Sequence, residues 1–378
     1  MFKIGIVVGE ASSDKIAKLL LEKLIRENTD IEISGIIGKE LKNIGCKELY
    51  SINELSIIGF LDPLIKLKNL LKIKKDVFNY FVKNIDIFIG IDAPSFNLIL
   101  ERELKLSGII TFHIISPSIW AWKKNRLENI RKSINLMLVL FPFEENIYIN
   151  SNIPVKYIGH PIADAIKFFS NKNKSKKILN ISNHKGLIIG MFLGSRDTEI
   201  KNHLCTYIKI INSCKDFCKN VLFIIPVYKE KHVEYINKKY PDINKDTSIY
   251  ITTNKFYESI ESCDIIVTSS GLATLECMLH KKHMLVIYKI NAINYEIIKR
   301  LIKIKRISLP NILSNEDLVS EFIQKDFNDK KITKYLHDYI NEKIDPRIKA
   351  TIYKKIHINL RRQSRIQIYK LIRKFMLN

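Results

Sequence analysis

Asp264-Ile-Ile-Val-Thr-Ser-Ser-Gly-Leu-Ala-Thr-Leu-Glu276, continued by Cys-Met-Leu279, decides the fold. The run from Asp264 to Thr268 is short, apolar and β-branched, which reads as a buried parallel strand. The run from Ala273 to Leu279 is helix material, and Gly271 between them lets the chain turn sharply. A strand, a small-residue turn and a helix start form an anion site, because the first helical N–H groups lack partners and carry partial positive charge. Ser270, Gly271, Ala273 and Thr274 would line such a turn. Glu276 repels phosphate but can accept hydrogen bonds from sugar hydroxyls, so phosphate at the turn and ribose at Glu276 would suit a nucleotide. An ordinary strand–helix joint with a surface Glu fits the stretch as well.

Outward from this unit the pattern repeats. Lys3–Val8, Ile31–Ile37, Ile85–Ile91, Ile109–Ile115, Leu136–Leu140 and Val155–Ile158 read as strands, and so do Leu187–Leu193, Val221–Pro226, Ser248–Thr252 and Met284–Ile290. The expected fold is α/β, with two Rossmann-like, doubly wound parallel-sheet domains facing a cleft. The expected boundaries are 1–168 for the first domain, 169–186 for a Lys- and Asn-rich linker, 187–345 for the second domain and 346–378 for a basic helical tail. At 378 residues the chain exceeds one ordinary core. The start MFKIGIVVGE enters a strand directly, and no apolar run is long enough to span a bilayer, so a cytosolic or membrane-peripheral protein is expected. Six cysteines show no C-x-x-C pair and no zinc spacing.

The net charge is +23, from 62 basic and 39 acidic residues. It points to a polyanionic partner, nucleic acid, anionic lipid or phosphorylated substrate. The abundance of Ile, Lys and Asn expected of an A+T-rich genome accounts for it equally. A nucleic-acid binder would need stacking aromatics along a basic groove, and none is patterned.

Several residues stand where doubly wound folds place their chemistry. Glu10, Ser12 and Asp14 lie in the loop Gly9–Asp14 that follows the first strand, ahead of a helix expected over Lys15–Arg26, although helix capping also explains Ser12 and Ser13. Asp92 ends a buried strand, with Pro94 fixing the turn, and fits either a catalytic base or a helix cap. Ser116 opens SPSIWAWKKNR, where Trp120 and Trp122 beside Lys123, Lys124 and Arg126 suggest a sugar- or lipid-contacting wall. Ser195 can cap the helix after Leu187–Leu193, aiming Arg196 at whatever anion that end attracts. The stretch Leu55–Lys75 opens a helix at Asp62-Pro63. Phe60, Leu64, Leu67 and Lys72 there suit an interfacial helix on anionic headgroups, and a core helix with a solvated basic face equally.

Taken in order, GEASSD (9–14), IDAPSFN (91–97), ISPSIWAWKKNR (115–126), FPFE (141–144), IGHPIAD (158–164), FLGSRDTEI (192–200), SSGLATLECML (269–279) and SLPNIL (308–313) resemble the lipid-A-disaccharide synthase family of Gram-negative bacteria. The resemblance implies two GT-B domains. It implies an inverting hexosyltransferase that joins UDP-2,3-diacylglucosamine to 2,3-diacylglucosamine 1-phosphate, giving a β-1,6 disaccharide and UDP, with no metal or cofactor. It further implies Asp92 as the base for the acceptor hydroxyl, and Arg196 with the helix starts after Gly194 and Gly271 for the leaving diphosphate. Glu276 would take the ribose, with Asn311 near the nucleotide. A homodimer with exchanged C-terminal parts, at the cytoplasmic face of the inner membrane, is also implied, with acylated glucosamine substrates and an anionic membrane surface as partners and no nucleic acid. The chain departs from the family pattern at Ser13 (usually Gly), Ser95 (Asp), Leu193 (Pro), Leu272 (Thr), Ile114 (Tyr) and Lys289 (Arg). A weakened homologue, or another GT-B enzyme of UDP-amino sugars, is the alternative.

Overall fold

A computed structural model describes residues 1–28, 30–56, 63–117, 125–289, 306–342 and 347–376, with side chains for all of these except 56, 63–67, 125, 126, 347 and 348. The chain forms two compact units, Met1–Ala165 with Asn359–Asn378, and Ile166–Ile358.

The first unit holds strands β1 (Phe2–Val8), β2 (Ile31–Ile37), β3 (Lys47–Ser51), β4 (Ile87–Ile91), β5 (Ile110–Ile114), β6 (Leu136–Val139) and β7 (Val155–Tyr157). They pair in the order β3-β2-β1-β4-β5-β6-β7, every neighbour parallel. The second unit holds β8 (Leu187–Phe192), β9 (Val221–Val227), β10 (Ile249–Thr253), β11 (Ile265–Ser269), β12 (His283–Tyr288) and β13 (Ser320–Ile323), in the order β10-β9-β8-β11-β12-β13, again all parallel. The central strands are apolar on both faces because helices cover both, and β4 is buried at all five positions. In each sheet the order reverses once, between β1 and β4 and between β8 and β11. The crevice beyond the strand ends at such a reversal is where doubly wound sheets bind ligands.

Three features differ from the sequence reading. Ala11–Glu27 is helical from Ala11, so Ser12, Ser13 and Asp14 form its first turn instead of a loop. Residues 169–186 are no free linker. They carry the helix Lys172–Ile178, capped by Asn171, and its lysines and Ser175 find carboxylate and carbonyl partners at Asp264, His184 and Glu261 in the second unit. The basic tail is not one element: helix Arg347–Leu360 is followed by a turn at Gln363 (φ 56°) and by helix Ser364–Met376, which packs on Ala11–Glu27.

The IGHPIAD segment explains how that last helix is held. Asp164 accepts the N–H groups of Gln363 (2.9 Å) and Ser364 (2.6 Å) and the Ser364 hydroxyl (2.6 Å). The His160 N–H donates to the Leu360 carbonyl at 2.9 Å, and the Tyr157 hydroxyl to that of Asn359 at 2.8 Å. His160 is therefore a packed residue, with its imidazole pushed down to about 3 by burial.

Candidate active site

In the first unit the site forms where β1 and β4 end side by side, Val8 opposite Ile91. The chain leaves β4 through Asp92 (φ 59°) and Ala93 (φ 44°), both in the left-handed region. Non-glycine residues rarely adopt it, and strain of this kind persists only where neighbours enforce it. The neighbours are present. The Asn97 amide donates to the Asp92 carbonyl (2.7 Å) and to the Val7 carbonyl (3.3 Å), and the Asp92 N–H donates to Ile114 O at 3.0 Å. The Ser13 hydroxyl donates to Asp92 Oδ2 at 2.8 Å. Gly9 closes the junction, since a Cβ there would meet Ala93 Cβ at 2.7 Å. The carboxylate of Asp92 thus lies at the start of helix Ala11–Glu27, where negative charge is favoured.

Behind Asp92 lies a buried pair that sequence reasoning missed. His113 on β5 and Glu101 on helix Pro94–Leu106 are both wholly buried, with Nδ1 and Oε1 2.7 Å apart. Burial opposes charge on both. Against it, Glu101 and then Asp92 hold the His113 imidazole above its usual value, while burial pushes the Glu101 carboxyl up. The signal for the pair was Gly90, a glycine inside an apolar strand. A Cβ on it would lie 2.1 Å from Glu101 Oε1 and 3.1 Å from Asn97 Cγ. Asn97 and Glu101, one helical turn apart, therefore need the space that Gly90 leaves.

The other residues expected here divide. Glu10 sits at the position preceding helix Ala11–Glu27 and accepts the Ser12 hydroxyl at 2.6 Å, so neither serine caps that helix. Asp14 points away, its carboxylate accepting the N–H groups of Gly38 (3.0 Å) and Glu40 (2.8 Å). Ser116 follows Ile115 (φ 74°) and lies 2.7 Å from the buried Tyr148 hydroxyl. Trp120, Trp122 and Phe60 lie outside the described residues, and the Leu64 and Leu67 side chains do too. Lys72 is exposed beside the exposed Leu71 on helix Pro63–Asn84.

In the second unit the matching place is the end of β8 beside β11. Ser195 and Arg196 are exposed there, ahead of helix Asp197–Phe217. Ser195 does not cap this helix. Glu199 reaches back instead, its Oε2 accepting the N–H groups of Ser195 (2.9 Å) and Arg196 (3.2 Å). This capping geometry comes from the third helical residue. A Cβ on Gly194 would strike that same oxygen at 2.3 Å. The Arg196 guanidinium stands 3.6 Å from Glu199 Oε1, with its side chain 61% exposed.

Beyond β11, Gly271 takes φ 138° ahead of helix Leu272–Leu279, where Ala273 is half-buried. The Ser270 hydroxyl donates to Ile307 O (3.1 Å), and Thr274 is buried with its hydroxyl on Gly271 O (2.8 Å). Glu276 is no surface residue: it is 1% exposed, and its Oε1 accepts the Tyr257 hydroxyl at 2.8 Å. Asn311 faces inward, its amide bonded to Val319 on both sides (2.9 and 2.8 Å) and to Glu321 Oε1 (2.8 Å). It shapes the SLPN loop from inside. Glu321, which no local pattern announces, also accepts the N–H groups of Ile307 (3.0 Å) and Ser308 (2.9 Å) and the Ser308 hydroxyl (2.6 Å).

Comparison with known proteins agrees with the motif series. The family model of lipid-A-disaccharide synthetase, LpxB, matches residues 4–376. The lipid-A-disaccharide synthase of Pseudoalteromonas translucida is 36% identical over 380 residues, covering 98% of this chain and 97% of its own. That of Vibrio vulnificus is 35% identical over 325 residues, covering 86% and 85%. Among solved structures, UDP-GlcNAc 2-epimerase from Neisseria meningitidis bound to UDP-GlcNAc superposes with TM-score 0.61 at 15% identity, covering all of both chains. A ugt transferase from Siraitia grosvenorii in complex with UDP gives 0.59 at 11% identity, again covering both chains in full. These two likenesses carry the GT-B fold, and the sequence relatives carry the family. The chain belongs to the lipid-A-disaccharide synthase family.

Proposed function

We propose that Asp92 is the general base of the lipid A disaccharide-forming transfer, removing the proton of the acceptor's 6-hydroxyl as it attacks the donor's anomeric carbon. As a member of this family the chain is a glycosyltransferase. In the proposed reaction, 2,3-diacylglucosamine 1-phosphate displaces UDP from UDP-2,3-diacylglucosamine in one inverting step, with no metal or cofactor. The observation that supports this reading is the hold on Asp92: a carboxylate at the sheet's reversal, in a left-handed backbone enforced by Asn97 and Ser13. A positioned base of this kind contributes about 10²–10⁴ in rate.

Arg196 and the backbone turns after Gly194 and Gly271 are proposed to stabilise the departing diphosphate. In that role Glu199 would yield the N–H groups it now accepts, or leave the guanidinium to carry the charge. Glu276, held by Tyr257, is the proposed partner of the ribose hydroxyls. The exposed Leu71 and Lys72 suit an anionic lipid surface, and no described helix is long and apolar enough to cross a membrane. We place the enzyme peripherally at the cytoplasmic face of the inner membrane, as a homodimer. Incubating the purified protein with both acylated sugars tests the reading. UDP release that needs both substrates, with a disaccharide 1-phosphate in the mass spectrum, is expected. UDP release indifferent to the acceptor would refute it.

A further inference from the structure

Two residues, Gly9 and Glu10, separate the end of β1 from the start of helix Ala11–Glu27, and β1 lies beside β4. The third residue of the helix therefore hangs over the end of β4, where Asp92 sits. That residue is Ser13, 1% exposed, with its hydroxyl 2.8 Å from Asp92 Oδ2. It is also a position at which GEASSD (9–14) departs from the family pattern, which usually has Gly there. A serine hydroxyl has a single proton to donate, and here the acceptor is the carboxylate. Asp92 Oδ1 has no hydrogen-bond partner among the described residues.

We propose that Ser13 is a positioning residue for the transfer, fixing the rotation of the Asp92 carboxylate by holding Oδ2 so that Oδ1 is presented to the acceptor hydroxyl. The inference rests on the reading of Asp92 as the base. The backbone of Asp92 is held by Asn97 and by β5, but its carboxylate torsion is not fixed by those bonds. Terminal torsions of this sp² kind are broad. A rotating carboxylate presents its oxygen in the productive geometry only part of the time, and catalysis is sensitive to such misplacement. Too buried to meet substrate, Ser13 acts only through Asp92.

A double-mutant cycle tests this with Ser13→Ala in the natural background and in Asp92→Glu, whose carboxylate is displaced by one methylene and retains a base for turnover. The expected result is a kcat about tenfold lower for Ser13→Ala, with unchanged KM for both sugars. In Asp92→Glu the same change should cost less than about twofold, because the oxygen that Ser13 held has moved. Equal losses in the two backgrounds would make Ser13 merely structural and overturn the inference. So would an unchanged or raised kcat in Ser13→Ala, or a loss accompanied by a fall in the thermal midpoint of tryptophan fluorescence. Failure of the underlying reading looks different: Asp92→Ala would then keep natural turnover, whatever Ser13→Ala does.

Discussion

Replacing Gly90 by alanine should damage the first unit out of proportion to one methyl group. The new Cβ would stand 2.1 Å from Glu101 Oε1 and 3.1 Å from Glu101 Cδ and Asn97 Cγ. Ordinary contact needs about 3.4 Å or more, so the carboxylate must move by more than an ångström. It cannot do so and keep the 2.7 Å bond to His113. Forcing a methyl into a packed site costs about 1–3 kcal/mol. Losing a charge-assisted buried hydrogen bond adds about 1.5–3 kcal/mol. After allowance for the methyl's own burial, we expect about 3 kcal/mol. Urea unfolding followed by circular dichroism reads the loss. With a slope of about 2 kcal/mol/M the midpoint should fall by about 1.5 M. Gly45→Ala is the control: a Cβ there meets nothing within 4 Å, but φ is +96°. It should cost only about 1 kcal/mol, from backbone strain. A midpoint for Gly90→Ala within about 0.3 M of the natural protein would refute the steric argument for the Glu101–His113 pair.

Two further outcomes follow from the same geometry. Asp164→Ala removes three hydrogen bonds from the start of helix Ser364–Met376. At about 1–2 kcal/mol for such a cap, trypsin should cut after Arg361, Arg362 or Arg365 about tenfold faster, and an unchanged rate would contradict the role. Burial depresses His160 to about 3 and His283 to about 4, the latter helped by Lys349. Folded pKa values below the unfolded value of about 6.5 mean stability that is present above that pH and lost as pH falls towards them. Each should cost up to about 2 kcal/mol at pH 5 relative to pH 7.5, and urea midpoints that agree at the two pH values would refute this.

The fold was legible where burial dictates composition. Ile87–Ile91 and Ile265–Ser269 can only be central strands, and the glycines and small residues after β8 and β11 announce the turns that follow. What escaped reading lies at edges and in long-range partnerships. β3 (KELYS) and β13 (SEFI) are polar edge strands without alternation, and Lys172–Ile178 is a helix whose partners lie some 90 residues away. The start of Ala11–Glu27 is hidden in the sequence because Glu10 is an unusual residue to precede a helix. For the site, Asp92 could be placed from its strand, but its neighbours Ser13 and His113 meet only in the folded sheet. Glu276 and Asn311 show the converse, since a motif located them while the fold made them interior.

The most direct measurement is turnover by Asp92→Ala with both acylated sugars, set beside calorimetric titration of the same protein with UDP. The account predicts a loss of at least about 10²-fold in kcat with UDP affinity within about twofold of the natural protein. Turnover at the natural rate would contradict it.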